Sequence, residues 1–184
     1  MIDFMVVALP RSATAWVANW LNTDSVFCLH DPLYPLHYLD WDSDTSIFPK
    51  KNCETGYTHT GVACTGIWRW PEFLDSHPAK KVFIDRDLRD INYSLDRLGM
   101  PRISQPEFDQ FRSAQGLRVD YKNLFRQKFA SQVVEHLFEG AVPINWLRYR
   151  ELSQLKIEKK SIFARKNRPV YESLCNELSI KNEF

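Results

Sequence analysis

The chain has 184 residues, enough for one domain with a sizeable core. Its net charge of +1 argues against a general nucleic-acid binder, and 44% apolar with 26% charged residues is the balance of an ordinary soluble globular protein. No stretch approaches the roughly 20 apolar residues of a membrane span. No basic segment precedes the first apolar run, so a cytoplasmic protein with neither signal peptide nor membrane association is expected.

Phe4 to Leu9 is an apolar run that reads as a buried strand, ended by Pro10. Arg11, Ser12 and Thr14 follow, and Trp16, Val17, Trp20 and Leu21 then fall on one face of a predicted helix. Strand, tight loop and helix start, with a cation and two hydroxyls in the loop, is how a parallel α/β protein builds an anion site. The free N–H groups and positive dipole end of the helix point at whatever lies above the strand. Ser25 to Leu29 reads as a second strand, ending at His30-Asp31-Pro32.

Residues 33–51 are aromatic, acidic and turn-rich, and read as an excursion over the sheet edge. Asp40, Asp42 and Asp44 alternate as in a calcium loop. Thr45 stands where such a loop needs Gly, however, and Lys51 where it needs Glu, so the reading is a solvated turn. Glu54 to Thr60 is a predicted third strand. Gly61 then opens a helix through Val62, Ile67, Trp68, Phe73 and Leu74, which Pro71 must kink or split. His77, in a Ser-His-Pro loop, reads as a surface residue.

Lys81 to Asp85 is the clearest later strand and ends in Arg86. Leu88 to Leu98 is an amphipathic helix stopped by Gly99. Ser104 caps the next helix, with Glu107 completing a capping box. Asp120 to Phe138 reads as the longest helix, Val142 to Leu147 as the last strand, and Pro169 begins a short final helix. The four cysteines, Cys28, Cys53, Cys64 and Cys175, form no C-x-x-C pair and read as reduced thiols.

Strands alternating with helices predict a three-layer α/β/α domain with a central parallel sheet over residues 1–184. Ligands then belong at the carboxyl ends of the strands, where Arg11, His30, Asp31, His59 and Arg86 all fall in this reading. No sequence feature fixes an oligomeric state.

Two segments resemble the sulfotransferase family. Leu9-Pro-Arg-Ser-Ala-Thr-Ala-Trp16 is similar to its loop for the 5′-phosphosulfate of the donor PAPS, roughly P-[KR]-S-G-T-[TS]-W, with Ala13 where the family has Gly. Val82 to Ser94 is similar to its 3′-phosphate motif, a strand followed by R-[DN]-x-[RK]-D-x-x-x-S, and the spacing from Arg86 to Ser94 matches. The likeness covers about the first hundred residues. It is fainter at Ile144 to Leu152 and at Ser161 to Lys166.

The resemblance implies a P-loop-like fold and transfer of a sulfuryl group from PAPS, leaving PAP, to a hydroxyl or amine, with no metal required. Arg11, Ser12, Ala13, Thr14 and Ala15 would hold the 5′ group, Trp16 would lie near the adenine, and Arg86 with Ser94 would clamp the 3′-phosphate. The catalytic base would be His59, in a Thr-His context, or Asp31, before a Pro; Arg11 would stabilise charge at the bridging oxygen. Loops 33–52 and 99–116, rich in aromatics, would shape a pocket for a small-molecule or glycan-like acceptor. Two other readings share the same residues: a sulfotransferase-like binding or assembly protein without chemistry, and a P-loop nucleotide or phosphoryl-transfer enzyme. The Walker A pattern G-x-x-x-x-G-K-[ST] is missing from the sequence.

Overall fold

The structure is a computed structural model and describes residues 2–33, 37–42 and 56–154. Two compact units divide the chain, Met1–Ile144 and Asn145–Phe184. The first holds a five-stranded, all-parallel sheet in the order β2-β3-β1-β4-β5. Its strands are Phe4–Ala8 (β1), Val26–His30 (β2), His59–Cys64 (β3), Lys80–Asp85 (β4) and Leu117–Asp120 (β5). Its helices are Thr14–Leu21 (α1), Pro71–Ser76 (α2), Leu88–Asp96 (α3), Gln105–Ser113 (α4) and Gln127–Phe138 (α5).

β1 is buried at every position because it is the central strand and both faces are covered. Met5, Val7 and Leu9 join Ile67, Trp68, Leu74, Ile91, Leu95 and Phe111 in one core, which places α2, α3 and α4 on that face. Phe4, Val6 and Ala8 point the other way, toward α1 and α5; Phe4 meets Phe138 edge-on at 5.3 Å between ring centroids. Three layers result. The chain leaves β1 over the α1 face toward β2, and leaves β4 over the opposite face toward β5. The adjacent carboxyl ends of β1 and β4 therefore bound the crevice where an open α/β sheet binds ligands.

Several sequence expectations are corrected. The third strand starts at His59 rather than ending near it, and Gly61 to Cys64 extend that strand rather than opening a helix. A continuous apolar run fits either element by periodicity. Pairing with β1 decides it, and Gly61 is required there because a Cβ would meet the Phe4 ring at 2.5 Å. Pro71 splits the expected helix by starting α2. The expected helix from Asp120 begins only at Gln127, and the strand missed before it, β5, is short and polar, as an edge strand tolerates.

Val142 to Leu147 is not a strand. Pro143 cannot serve a ladder, and Asn145 instead caps Trp146–Gln154 (α6), its side-chain oxygen accepting from the Arg148 N–H at 3.0 Å. His77 is buried: its Nδ1 accepts from the Ala79 N–H, which leaves Nε2–H to donate to Asp42 at 3.0 Å. Asp42 also accepts from the Ile2 N–H at 2.7 Å, so this carboxylate holds the first strand's start. Asp44, Cys53, Cys175 and the helix expected from Pro169 lie outside the described residues. Among the described residues no helix is long and apolar enough to cross a membrane.

Candidate functional site

The loop between β1 and α1 turns through two left-handed residues, Arg11 at φ 67° and Ala13 at φ 66°. Ala13 is the N-cap of α1 and supplies no side-chain cap, so the first-turn amides are left for other acceptors. Between them Ser12 is fully buried, and its hydroxyl has no hydrogen-bond partner among the described residues. An L-residue held left-handed costs about 1–2 kcal/mol, and left-handed residues are a recurring part of the backbone turns whose N–H groups bind anions.

The loop after β4 meets this one. Asp87 caps α3, accepting from the Arg89 and Asp90 N–H groups at 2.9 and 3.4 Å. That capping aims α3 so that Ser94 reaches back, and its Oγ accepts from Arg11 Nε at 3.1 Å. Arg86 donates from Nη1 to the Arg11 carbonyl oxygen. Its guanidinium lies 4.5 Å from the centroid of the Tyr121 ring, and its Nε is buried with no hydrogen-bond partner among the described residues. The nearby Asp85 carboxylate is taken by Arg118 in a two-pronged pair of 3.0 and 2.8 Å. Neither Arg11 nor Arg86 pairs with a carboxylate among the described residues.

Tyr121 sits there because the β4–β5 ladder continues one step, its N–H donating to the Asp85 oxygen at 2.6 Å. The turn it begins carries Phe125, packed edge-on against both Tyr121 at 5.5 Å and Trp16 at 5.0 Å. Trp16 in turn lies 5.5 Å from Trp20. An aromatic wall thus runs from Arg86 to α1, and the sequence reading missed two of its members. Tyr121 and Phe125 both fall inside the helix expected from Asp120 to Phe138; only the short polar strand before them signals a turn at a strand's carboxyl end.

Across the loop from Arg86 stand His30 and Asp31. His30 Nε2 lies 3.1 Å from Thr14 Oγ1 and 3.1 Å from Asp31 Oδ2. Asp31 is itself left-handed, at φ 44°, and its Oδ1 accepts from the Thr65 N–H at 2.5 Å and the Thr65 hydroxyl at 3.0 Å. Burial pushes this carboxyl upward, but the bonds from His30 and Thr65 prevail and hold it below its ordinary value of 3.8. Burial pushes the thiols of Cys28 and Cys64 up, the latter to about 12, so neither is a thiolate nucleophile near neutral pH.

The structure therefore brings Arg11, Ser12, Ala13, Thr14, Ala15 and Trp16 together with Arg86, Ser94 and Asp31. It does not bring His59 there. His59 opens β3 beside Val26, at the amino end of the sheet, with Thr58 Oγ1 2.9 Å from its Nδ1 and its ring on Phe138 at 5.1 Å. The length of β3, about 3.3 Å per residue, separates it from the carboxyl edge. His59 is therefore not the base of this site: the strand runs from His59 to Cys64 rather than from Glu54 to Thr60, which puts this residue at its start instead of its end. Compared with protein-family models, curated proteins and solved structures, the chain matches none.

Proposed function

We propose that this protein is a PAPS-dependent sulfotransferase, with a P-loop-like cradle after β1 and an acceptor that carries a hydroxyl or amine. The observation that carries this reading is the convergence of two guanidinium groups, Arg11 and Arg86, neither with an acidic partner among the described residues, on the amino end of α1 at the sheet's switch point. Two cations from two separate loops suit a ligand with two anionic groups. The buried Ser12 hydroxyl and the Arg86 Nε, both without hydrogen-bond partners among the described residues, supply further donors for it.

PAPS, when bound, supplies a sulfuryl group joined to a 5′-phosphate and a second phosphate at the 3′ position. The amides of residues 12–16 and Arg11 would hold the first anion and neutralise charge that develops on the leaving oxygen. Arg86 and Ser94 would hold the second by charge-assisted hydrogen bonds, which ATP cannot satisfy because it has no 3′-phosphate. Trp16 and Phe125 offer flat apolar faces beside the same cradle.

The test is a titration with PAP, 5′-AMP and ATP in the absence of metal, on wild type and Arg86→Ala. PAP binding at least tenfold tighter than AMP, lost in the variant, assigns about 1.4 kcal/mol or more to the 3′-phosphate clamp. Equal or absent binding rejects the reading. ATP binding that requires Mg²⁺ and exceeds PAP binding replaces it with phosphoryl transfer.

A further inference from the structure

We infer that His30 is the proton acceptor of this site, through its Nδ1, and that Asp31 is the residue that orients it. The inference rests on the sulfuryl-transfer reading for the identity of the reaction, but its geometry stands independently. Asp31 Oδ1 is bonded by the two Thr65 donors, and Oδ2 lies 3.1 Å from the imidazole Nε2. A carboxylate so bonded is a poor base and a good anchor. Its left-handed backbone, fixed by the Asp31 N–H donating to Ala63 at 2.9 Å, turns the side chain back toward the preceding residue.

An ionised carboxylate can only accept. Asp31 Oδ2 lies 3.1 Å from His30 Nε2 and acts on it by charge rather than through an aligned hydrogen bond: a carboxylate oxygen that close disfavours a lone pair on Nε2, so the hydrogen belongs there and is donated to Thr14 Oγ1 at 3.1 Å. The Thr14 hydroxyl, 3.1 Å from the same nitrogen, holds the ring against the first turn of α1. The lone pair is then on Nδ1, which has no hydrogen-bond partner among the described residues, and the side chain keeps 37% of its surface open. This is the logic of a carboxylate-held imidazole, with one nitrogen fixed and the other free to take a proton.

In the step served, the acceptor's O–H bond breaks and its proton goes to His30 Nδ1. A new bond forms from that oxygen to sulfur. The bond from sulfur to the bridging oxygen breaks, and its electron pair stays with the 5′-phosphate beside Arg11. The proton on His30 passes to solvent after release.

The experiment combines a spectroscopic and a kinetic readout. Nitrogen-15 NMR of the imidazoles, with His30 assigned by its loss in His30→Gln, reports the tautomer. Hydrogen on Nε2 in wild type, shifting toward the other tautomer in Asp31→Asn, is expected. Asn fits the left-handed backbone and keeps the shape of the side chain, so this variant retains the fold. Hydrogen on Nδ1 in wild type, or a tautomer indifferent to Asp31→Asn, overturns the inference.

Sulfate release from PAPS, with water as acceptor, is then compared at saturating donor. His30→Gln should bind PAP within about threefold of wild type yet release sulfate roughly 10²–10⁴-fold more slowly, the range of a general base. An unchanged rate in His30→Gln, or no release by a wild type that binds PAP, removes the base role. Failure of wild type to bind PAP refutes sulfuryl transfer instead, while the tautomer result stands.

Discussion

Ala13 is the position at which the loop conformation can be weighed most directly. It caps α1 at φ 66° and ψ 24°, in the left-handed region. Holding an L-residue there costs about 1–2 kcal/mol relative to the right-handed form. Glycine has no such penalty, but it adds unfolded-state freedom that costs about 0.4–1 kcal/mol. Ala13→Gly should therefore stabilise the protein by a net amount on the order of 0.5–1 kcal/mol. At this chain length that raises the melting temperature by about 1–4 °C. The matched control is Ala15→Gly, two residues on in the first turn of α1, where the backbone is helical and glycine costs about 0.5–1 kcal/mol. Urea unfolding followed by circular dichroism, with slopes compared to confirm a common transition, separates the two. Opposite signs are expected. Destabilisation of similar size in both variants would refute the left-handed assignment and the account of the loop built on it.

Asp31 makes the stability depend on acid. Its folded value lies below its ordinary 3.8, so its contribution is fully present above that value and is lost as the pH falls through the folded one. Asp31→Asn should be less stable than wild type near neutral pH, and the gap should begin to narrow as the pH falls below 3.8 and close only once the pH is below the lower folded value; a gap that persists in stronger acid would contradict the carboxylate's contacts with His30 and Thr65. Arg118→Lys replaces the fork on Asp85, which also lies over Phe83 and Phe111 at 4.9 and 5.0 Å, with a point charge. It should lower the urea midpoint by the equivalent of about 1–3 kcal/mol, whereas a loss under about 0.5 kcal/mol, the size of an ordinary surface substitution, would show the pair to be solvated.

The elements that the sequence determined by itself are those whose signal is local. Phe4–Ala8, Lys80–Asp85 and the α3 helix follow from apolar runs and an amphipathic stripe, and the Ser104 and Glu107 capping box formed as its spacing requires. The site's two loops were legible for the same reason: each follows a strong strand and carries a cation, Arg11 or Arg86. Tertiary structure decided what depends on partners distant in the chain. Gly61 to Cys64 became a strand because β1 and β2 flank it, and this moved His59 from the site to the opposite end of the sheet. Leu117–Asp120 became a strand only by pairing with β4, and that pairing set Tyr121 beneath Arg86. The link from Thr14 through His30 and Asp31 to Thr65 joins residues up to 51 positions apart, from the chain numbers 14 and 65. No local propensity encodes such a contact; it exists because a parallel sheet brings the carboxyl ends of sequence-distant strands to one edge.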